Sequence, residues 1–353
     1  MILRSQTIQI SFSSEQPLGS GHSIMKSNLF QIILSAATIS LFSALAADAQ
    51  EGNASRIMEF DIPGKMGSTH EIIAGPQGNM WITQQKQARL VKVQAHGPWS
   101  DKKLKFIPMP KNSGPHGIVF DAKGRLWVTL EYIDEIAQIG IDGKITSRFK
   151  LPAGSGPHGL GVASDGIIWW TGKTGNVIGR LDVDKDKLDI FELGDRPAKP
   201  IYIAPGHDGN MWFTELEGSN IGRITDEGEI TLFSLPTENA RPIVVFAGPG
   251  GLMWFTEERG NAYGTISSTG KIIEYPSGVK GGKLAGAVID ADENIWLQFN
   301  TPDIIRRIAP DKSVKTYNLP TKDAVQHRIA VGLGGTIWST QNATDKIAYI
   351  GPN

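Results

Sequence analysis

Residues 115–131 read PHGIVFDAKGRLWVTLE, and this sequence pattern recurs along the chain. An apolar run, a turn that contains Asp121 and Gly124, and a second apolar run around Trp127 predict two short antiparallel strands. Each copy has a tryptophan at the same position, and the seven are Trp81, Trp127, Trp169, Trp212, Trp254, Trp296 and Trp338. They lie 46, 42, 43, 42, 42 and 42 residues apart, which is the period typical of a β-propeller blade.

Each copy continues with two more predicted strands. In the fourth copy these are residues 221–224, which read IGRI, and residues 230–236, which read ITLFSLP. The last copy stops after its third strand, and residues 57–63 (IMEFDIP) match the strand that it lacks. Pairing these two ends removes two exposed sheet edges. The sequence therefore predicts an all-β fold, a single seven-bladed β-propeller with four antiparallel strands per blade, closed by the N-terminal strand and spanning residues 50–353.

Composition excludes several classes of function. The chain has 35 Lys plus Arg against 36 Asp plus Glu, so it lacks the basic surplus of nucleic-acid-binding proteins, and no nucleic acid partner is expected. It has no Cys, which excludes a disulfide scaffold, a thiolate metal site and a cysteine nucleophile.

The N-terminal region has the features of a targeting segment. Lys26 precedes an apolar stretch over residues 29–47, and Ala47 and Ala49 form an A-x-A site. This pattern predicts a secretory signal peptide within residues 1–49. The alternative is an uncleaved membrane anchor, but the stretch contains several Ser and Thr residues and is a poor membrane span.

Met25 begins a conventional signal by itself, so residues 1–24 are interpreted as an upstream extension from a misassigned start. We expect a mature protein that begins near Gln50, keeps no stable membrane anchor after cleavage and works as a monomer. A periplasmic or secreted location follows from this expectation.

Four histidines occupy equivalent positions in the repeat. In a propeller, the start of the innermost strand and the end of the second strand lie on one face, near the mouth of the central channel. The residues at the first of these positions include His70, His116, His158 and His327, from blades one, two, three and seven. These blades are neighbours once the ring closes, so we expect the four imidazoles to share the channel mouth.

Glu131 stands at the second position of blade two, which also carries His116. Imidazole acts as a base or a metal ligand near neutral pH, and carboxylates bind hard cations such as Mg²⁺. The pair therefore fits proton abstraction next to a carbonyl that a metal polarises. The alternative is structural: each histidine bonds a neighbouring backbone carbonyl, and the glutamates at this level pair with arginines on adjacent strands. Arg180 and Arg223 are the partners expected for Glu215 and Glu257.

The blade wording resembles that of the virginiamycin B lyase family, also called streptogramin B lyases. The matching motifs are GPHGI at residues 114–118, MWFTE at 211–215 and IGRIT at 221–225, and the resemblance covers nearly all of residues 57–351. It implies a seven-bladed propeller that opens a cyclic depsipeptide antibiotic by elimination rather than hydrolysis. In such a reaction, a histidine removes a proton α to a carbonyl while a carboxylate-bound Mg²⁺ stabilises the enolate.

The resemblance implies a catalytic histidine and glutamate in the last blade. This chain keeps His327 there, but Gln341 or Asn342 replaces the glutamate. The complete motif, with both a histidine and a glutamate, lies in blade two as His116 and Glu131. The site has moved around the ring, or the chain lacks the lyase reaction.

The site expected from these observations has His116 and His327 as catalytic residues and Glu131 as the Mg²⁺ ligand. His70 and His158 are expected to bind the substrate, a cyclic depsipeptide or a lactone-like small molecule. The first hypothesis is an exported lyase with a histidine base, and the second is a non-enzymatic periplasmic binding or scaffold propeller. The third is a metal-dependent lactonase or other hydrolase.

Overall fold

The computed structural model describes residues 57–94 and 103–351, and the predicted signal segment, residues 1–49, lies outside them. The described residues form strands joined by turns and single 3-10 turns. None of the helices in this part of the chain is long and apolar enough to cross a membrane.

The strands follow one another in chain order. The first fourteen are β1 (Ile57–Asp61), β2 (Thr69–Ala74), β3 (Met80–Gln84), β4 (Arg89–Val93), β5 (Leu104–Pro108), β6 (Pro115–Phe120), β7 (Leu126–Leu130), β8 (Glu135–Ile139), β9 (Ile145–Lys150), β10 (Pro157–Val162), β11 (Ile168–Gly172), β12 (Val177–Asp182), β13 (Lys187–Glu192) and β14 (Pro200–Pro205). The next fourteen are β15 (Met211–Glu215), β16 (Asn220–Ile224), β17 (Ile230–Ser234), β18 (Pro242–Gly248), β19 (Leu252–Glu257), β20 (Ala262–Ile266), β21 (Ile272–Pro276), β22 (Lys283–Ile289), β23 (Ile295–Thr301), β24 (Ile304–Ile308), β25 (Val314–Asn318), β26 (Gln326–Val331), β27 (Ile337–Gln341) and β28 (Lys346–Ile350).

These strands form seven four-stranded antiparallel sheets, each of them one blade. Blades one to six take four consecutive strands each, from β2 to β25, and blade seven consists of β26, β27, β28 and β1. The innermost strands, β2, β6, β10, β14, β18, β22 and β26, pack against one another in that order, and β26 returns to β2. The predicted seven-bladed propeller, closed by the N-terminal strand, is confirmed.

Six blade tryptophans lie in hydrophobic cores formed by two neighbouring sheets, and Trp127 is buried completely. Its indole Nε1 donates a hydrogen bond to Asp121 Oδ2 at 2.9 Å, and Trp212 donates in the same way to Asp208 at 3.0 Å. A buried indole N–H needs such a partner. In blades two, four and six, an aspartate in the turn before the tryptophan therefore accepts the hydrogen bond of its indole N–H.

Candidate functional site

The four histidines converge at the start of the innermost strands. The ring centroids of His116 and His158 lie 3.7 Å apart, and those of His70 and His327 lie 4.5 Å apart. The His70 ring is 5.0 Å from that of His116, and His116 and His327 are 6.0 Å apart. Side chains from blades one, two, three and seven thus form one cluster at the channel.

A β-bulge at the entrance of each of these strands presents the histidines. The ladder register shifts between Thr69 and Ile72, and the same shift occurs at the starts of β6, β10 and β26. In all four blades the residue after the histidine donates its backbone N–H to the threonine hydroxyl two positions beyond the blade tryptophan; these threonines are Thr83, Thr129, Thr171 and Thr340. The bulge therefore has a fixed geometry in each of the four blades.

The same threonines connect neighbouring blades. Thr129 Oγ1 donates to the carbonyl of His158 at 3.0 Å, and Thr340 Oγ1 donates to the carbonyl of His70 at 2.7 Å. The backbone of one histidine is thus held by the blade before it, which sets the spacing between adjacent imidazoles.

The imidazoles differ in their hydrogen bonds. His70 Nδ1 and His327 Nε2 lie 3.1 Å apart, so one of them donates to the other. His158 Nδ1 donates to the carbonyl of Ile201 at 2.9 Å, which is the backbone bond that the structural alternative predicts. His116 Nδ1 is buried and has no hydrogen-bond partner among the described residues.

Glu71 and Arg328 complete the cluster, and sequence reasoning missed both. Glu71 Oε1 lies 2.8 Å from Arg328 Nε and 4.0 Å from both His116 Nδ1 and His327 Nε2. The Arg328 guanidinium also lies over the ring of Tyr202. Each missed residue directly follows a histidine of the set in the sequence.

Glu131 lies beside the cluster with its charge already paired. Gln85 Nε2 donates to its Oε2 at 2.6 Å, and Lys173 Nζ lies 3.6 Å from its Oε1. Potential ligand atoms of Glu131, His116 and His158 all lie within 4.8 Å of one another. The expected proximity of His116 and Glu131 is therefore present, although Glu131 also serves an ion pair.

Burial keeps these imidazoles neutral. It lowers the pKa of His70 to about 3, with a further contribution from the charge of Arg328. Burial also holds the pKa values of His116, His158 and His327 well below the usual value, and His158, Lys173 and His70, respectively, add to the effect. A neutral imidazole has the lone pair that a base or a metal ligand requires.

The two carboxylates respond to burial in the opposite direction. Burial raises the pKa of Glu71, against the opposing effect of Arg328, and raises the pKa of Glu131, against that of Lys173. Each carboxylate thus has a cation as its partner.

These residues fit poorly the Mg²⁺ that the resemblance implies. Mg²⁺ prefers oxygen ligands in octahedral geometry, whereas the ligand atoms here that are not in an ion pair with Lys or Arg are imidazole nitrogens. Both nearby carboxylates, Glu71 and Glu131, are committed to Arg328 and Lys173.

Other candidates lie apart from this cluster. Glu215 forms a two-pronged ion pair with Arg196, which corrects the expected pairing with Arg180 or Arg223, because those arginines lie beside Asp189 and Asp208 instead. Glu257 is buried next to Glu274.

Gln341 and Asn342 stand where the resemblance implies a glutamate, and both form hydrogen bonds with residues at the closure of the ring. Gln341 Nε2 donates to Glu59 on β1 at 2.6 Å, and Asn342 Nδ2 donates to the carbonyl of Thr69 at 3.0 Å. The local substitution therefore serves the joint between blades seven and one.

Beyond the histidines, the channel becomes apolar. A cavity of about 330 Å³ is lined by Ile72, Val244, Phe246 and Ile329, with Tyr202 and Arg328 among its polar lining. The polar cluster and this apolar cavity meet at Arg328, so one ligand with a polar part and an apolar part could contact both regions.

The sequence model of the virginiamycin B lyase family matches residues 55–350. Three solved structures are similar over 84% of this chain, each with 28% sequence identity. A streptogramin B lyase is covered over 97% of its length with a TM-score of 0.78. A virginiamycin B lyase from Staphylococcus aureus is covered over 99% with a TM-score of 0.76. A catalytically inactive histidine-to-alanine variant of the S. aureus enzyme, with quinupristin, is covered over 99% of its length with a TM-score of 0.77.

A more remote neighbour shows the fold alone. Hydrazine synthase from Kuenenia stuttgartiensis matches with a TM-score of 0.67 at 13% identity, over 82% of this chain and 97% of its own. A search among curated proteins gave no match.

Proposed function

Because the chain belongs to the virginiamycin B lyase family, we propose that it is a carbon–oxygen lyase that opens a cyclic ester at the channel mouth. The substrate class is a cyclic depsipeptide or a lactone-like small molecule. The observation that carries the proposal is the convergence of four imidazoles, from four adjacent blades, beside two cationic side chains. The N-terminal segment supports export to the periplasm or the medium.

His327 is the proposed base. Its side chain is 26% exposed, whereas that of His116 is 3% exposed, so His327 is the more accessible of the two expected catalytic residues. The resemblance also implies a base in the last blade, which is where His327 lies. His116 then acts as a positioning residue that packs against the other rings.

The elimination proceeds without the addition of water. His327 accepts a proton from the carbon α to a carbonyl, the C–O bond at the β carbon breaks, and the ester oxygen leaves as a carboxylate with the bonding pair. A carbon–carbon double bond forms in the ring-opened product. The negative charge that develops on the carbonyl oxygen needs a nearby cation.

Lys173 and Arg328 are the cations at hand. The Lys173 side chain is 37% exposed and Arg328 is buried, so Lys173 is the one that reaches a ligand at the mouth. Arg328 keeps Glu71 in place against the imidazoles.

The test compares turnover of quinupristin, and of a panel of cyclic depsipeptides and macrolactones, by the wild-type protein and two variants. Removal of the base in His327→Ala is expected to lower kcat/KM by roughly 10²–10⁴-fold. His207→Ala is the matched control, because His207 lies in the turn after β14, outside the cluster, where its Nε2 contacts the carbonyl of Gly248. An unchanged rate in His327→Ala would contradict the assignment, and binding without conversion would favour the binding propeller.

A further inference from the structure

Three of the four histidines have the arrangement of metal ligands. His70, His116 and His327 each offer a ring nitrogen, and the three nitrogens lie within 4.8 Å of one another. They come from blades one, two and seven, so the ring closure brings them together.

The spacing of the rings matches a tetrahedral ion. With metal–nitrogen bonds of about 2.0–2.1 Å, two imidazole nitrogens in a tetrahedral site are about 3.3 Å apart and their ring centroids about 5 Å apart. The centroids of this trio lie 4.5, 5.0 and 6.0 Å apart, and His70 Nδ1 lies 3.1 Å from His327 Nε2. By contrast, the ring centroids of His116 and His158 lie 3.7 Å apart at a tilt of 37°, closer than the about 5 Å expected for two imidazoles on one tetrahedral ion.

His116 supplies an independent observation. Its Nδ1 is buried and meets no hydrogen-bond partner in the part of the chain that the structure describes. A buried polar atom without a partner has a substantial free-energy cost, and a bound ion would remove it. Glu71 Oε1, 4.0 Å from this nitrogen, brings negative charge close to the ion.

We propose that His70, His116 and His327 form a binding site for a divalent transition-metal ion that prefers imidazole ligands, such as Zn²⁺, Co²⁺ or Ni²⁺. Mg²⁺ is not the ion of this site, because the donors are nitrogens and the neighbouring carboxylates are paired with Arg328 and Lys173.

The site has a consequence that rests on the proposed function. A ligand nitrogen cannot accept a proton, so the ion and the proposed base compete for His327. The ion-bound protein is therefore inactive as a lyase, and Mg²⁺ has no such effect.

The binding test uses Co²⁺ alone as the probe and the full mature chain without a polyhistidine tag. Tetrahedral Co²⁺ has visible absorption bands, so titration reports binding without any turnover. We expect one Co²⁺ per chain, displaced by Zn²⁺ and retained in excess Mg²⁺. His70→Gln and His327→Gln are expected to weaken Co²⁺ binding at least tenfold.

Two control variants make the assignment specific. His207→Gln is expected to bind Co²⁺ normally, and His158→Gln, which removes a ring of the cluster but none of the trio, is expected to bind it within a few-fold. Because His116 is buried, His116→Gln is interpreted only if its melting temperature matches the wild type.

Three results would overturn the proposal: no Co²⁺ binding, displacement by Mg²⁺ at similar concentrations, or loss of binding in His158→Gln with retention in His70→Gln. The last result would assign the ion to His116, Glu131 and His158 instead. Absence of lyase activity would leave the Co²⁺ result intact, so failure of the proposed function and failure of the site are distinguishable.

Discussion

The entrance of the innermost strand of blade two shows how one residue can position another. A Cβ on Gly117 would collide with the backbone carbonyl oxygen of His158. Only glycine lets blade three approach this closely, and the approach places the His158 ring against that of His116.

We therefore expect Gly117→Ala to separate blades two and three. Backbone atoms cannot yield as a flexible side chain does, so the free energy of unfolding should fall by about 2–3 kcal/mol. Chemical denaturation of the variant measures this loss.

Gly124→Ala is the matched control. Gly124 has a positive φ of 74°, but a Cβ there meets no atom within 4 Å among the described residues. Conformational strain alone should cost about 1 kcal/mol. Equal losses in the two variants would contradict the steric account of Gly117.

At this scale the sequence predicts the histidines better than their neighbours. Equivalent positions in a repeat predicted that His70, His116, His158 and His327 share one level. Glu71 and Arg328 were missed because strict strand alternation turns the residue after a histidine away from it. The β-bulge breaks that alternation, and the sequence pattern does not predict the bulge.

In blades five and seven, the residue at the end of the second strand lies beside a glutamate of the fourth strand, but the two blades use different residues there. In blade seven, Gln341 donates to Glu59, which also accepts from the hydroxyl of Thr321. In blade five, Glu274 accepts from Thr237 in the same way, but its other neighbour is the carboxyl of Glu257. Only a protonated Glu257 can donate as Gln341 does.

The pH dependence of stability should show this proton. Burial and the neighbouring Glu274 raise the pKa of Glu257 to about 8. Because the folded state then holds a proton that the unfolded state releases, stability falls as pH rises from about 4.5 to 8, by at most about 1.4 kcal/mol per pH unit. In Glu257→Gln, denaturation midpoints measured across this range should lose that slope.

Glu215→Gln is the control at the same position of blade four. Glu215 pairs with Arg196, so its substitution should lower stability without removing the slope. If Glu257→Gln kept the wild-type pH dependence, the shared proton would be excluded.

The strands themselves were predictable because the same pattern is repeated seven times. The partners of long charged side chains were not predictable. Arg196 lies in the loop between β13 and β14, and the path of this loop places Arg196, rather than Arg180 or Arg223, beside Glu215.

The ring closes through β1 and through Asp345. Residues Ile57 to Asp61 pair with β28 from Ile350 to Lys346. The Asp345 carboxylate accepts hydrogen bonds from Ser68 N at 3.0 Å, Thr69 N at 2.7 Å and Thr69 Oγ1 at 2.6 Å. This contact holds the residue that precedes His70, so closure also positions the cluster.

Asp345→Ala is expected to weaken closure and the site together. Loss of three hydrogen bonds to a buried carboxylate should lower the free energy of unfolding by about 2–3 kcal/mol, measured by denaturation. Asp345→Asn keeps an acceptor oxygen and should lose less. Equal stability of Asp345→Ala and the wild type would argue against this contact as part of closure.

Of the whole molecule, the sequence predicted the number of blades and the closing strand from the missing fourth strand of the last copy. It did not predict that Gln341 and Asn342 serve that closure, because their partners on β1 and β2 are more than 270 residues away along the chain.

The central claim, elimination at the channel mouth, is tested most directly by the mass of the product formed in H₂¹⁸O. With a cyclic depsipeptide such as quinupristin and the wild-type protein, we predict a ring-opened product with the mass of the substrate and no ¹⁸O. A product heavier by one water that carries ¹⁸O would contradict the lyase and identify a hydrolase.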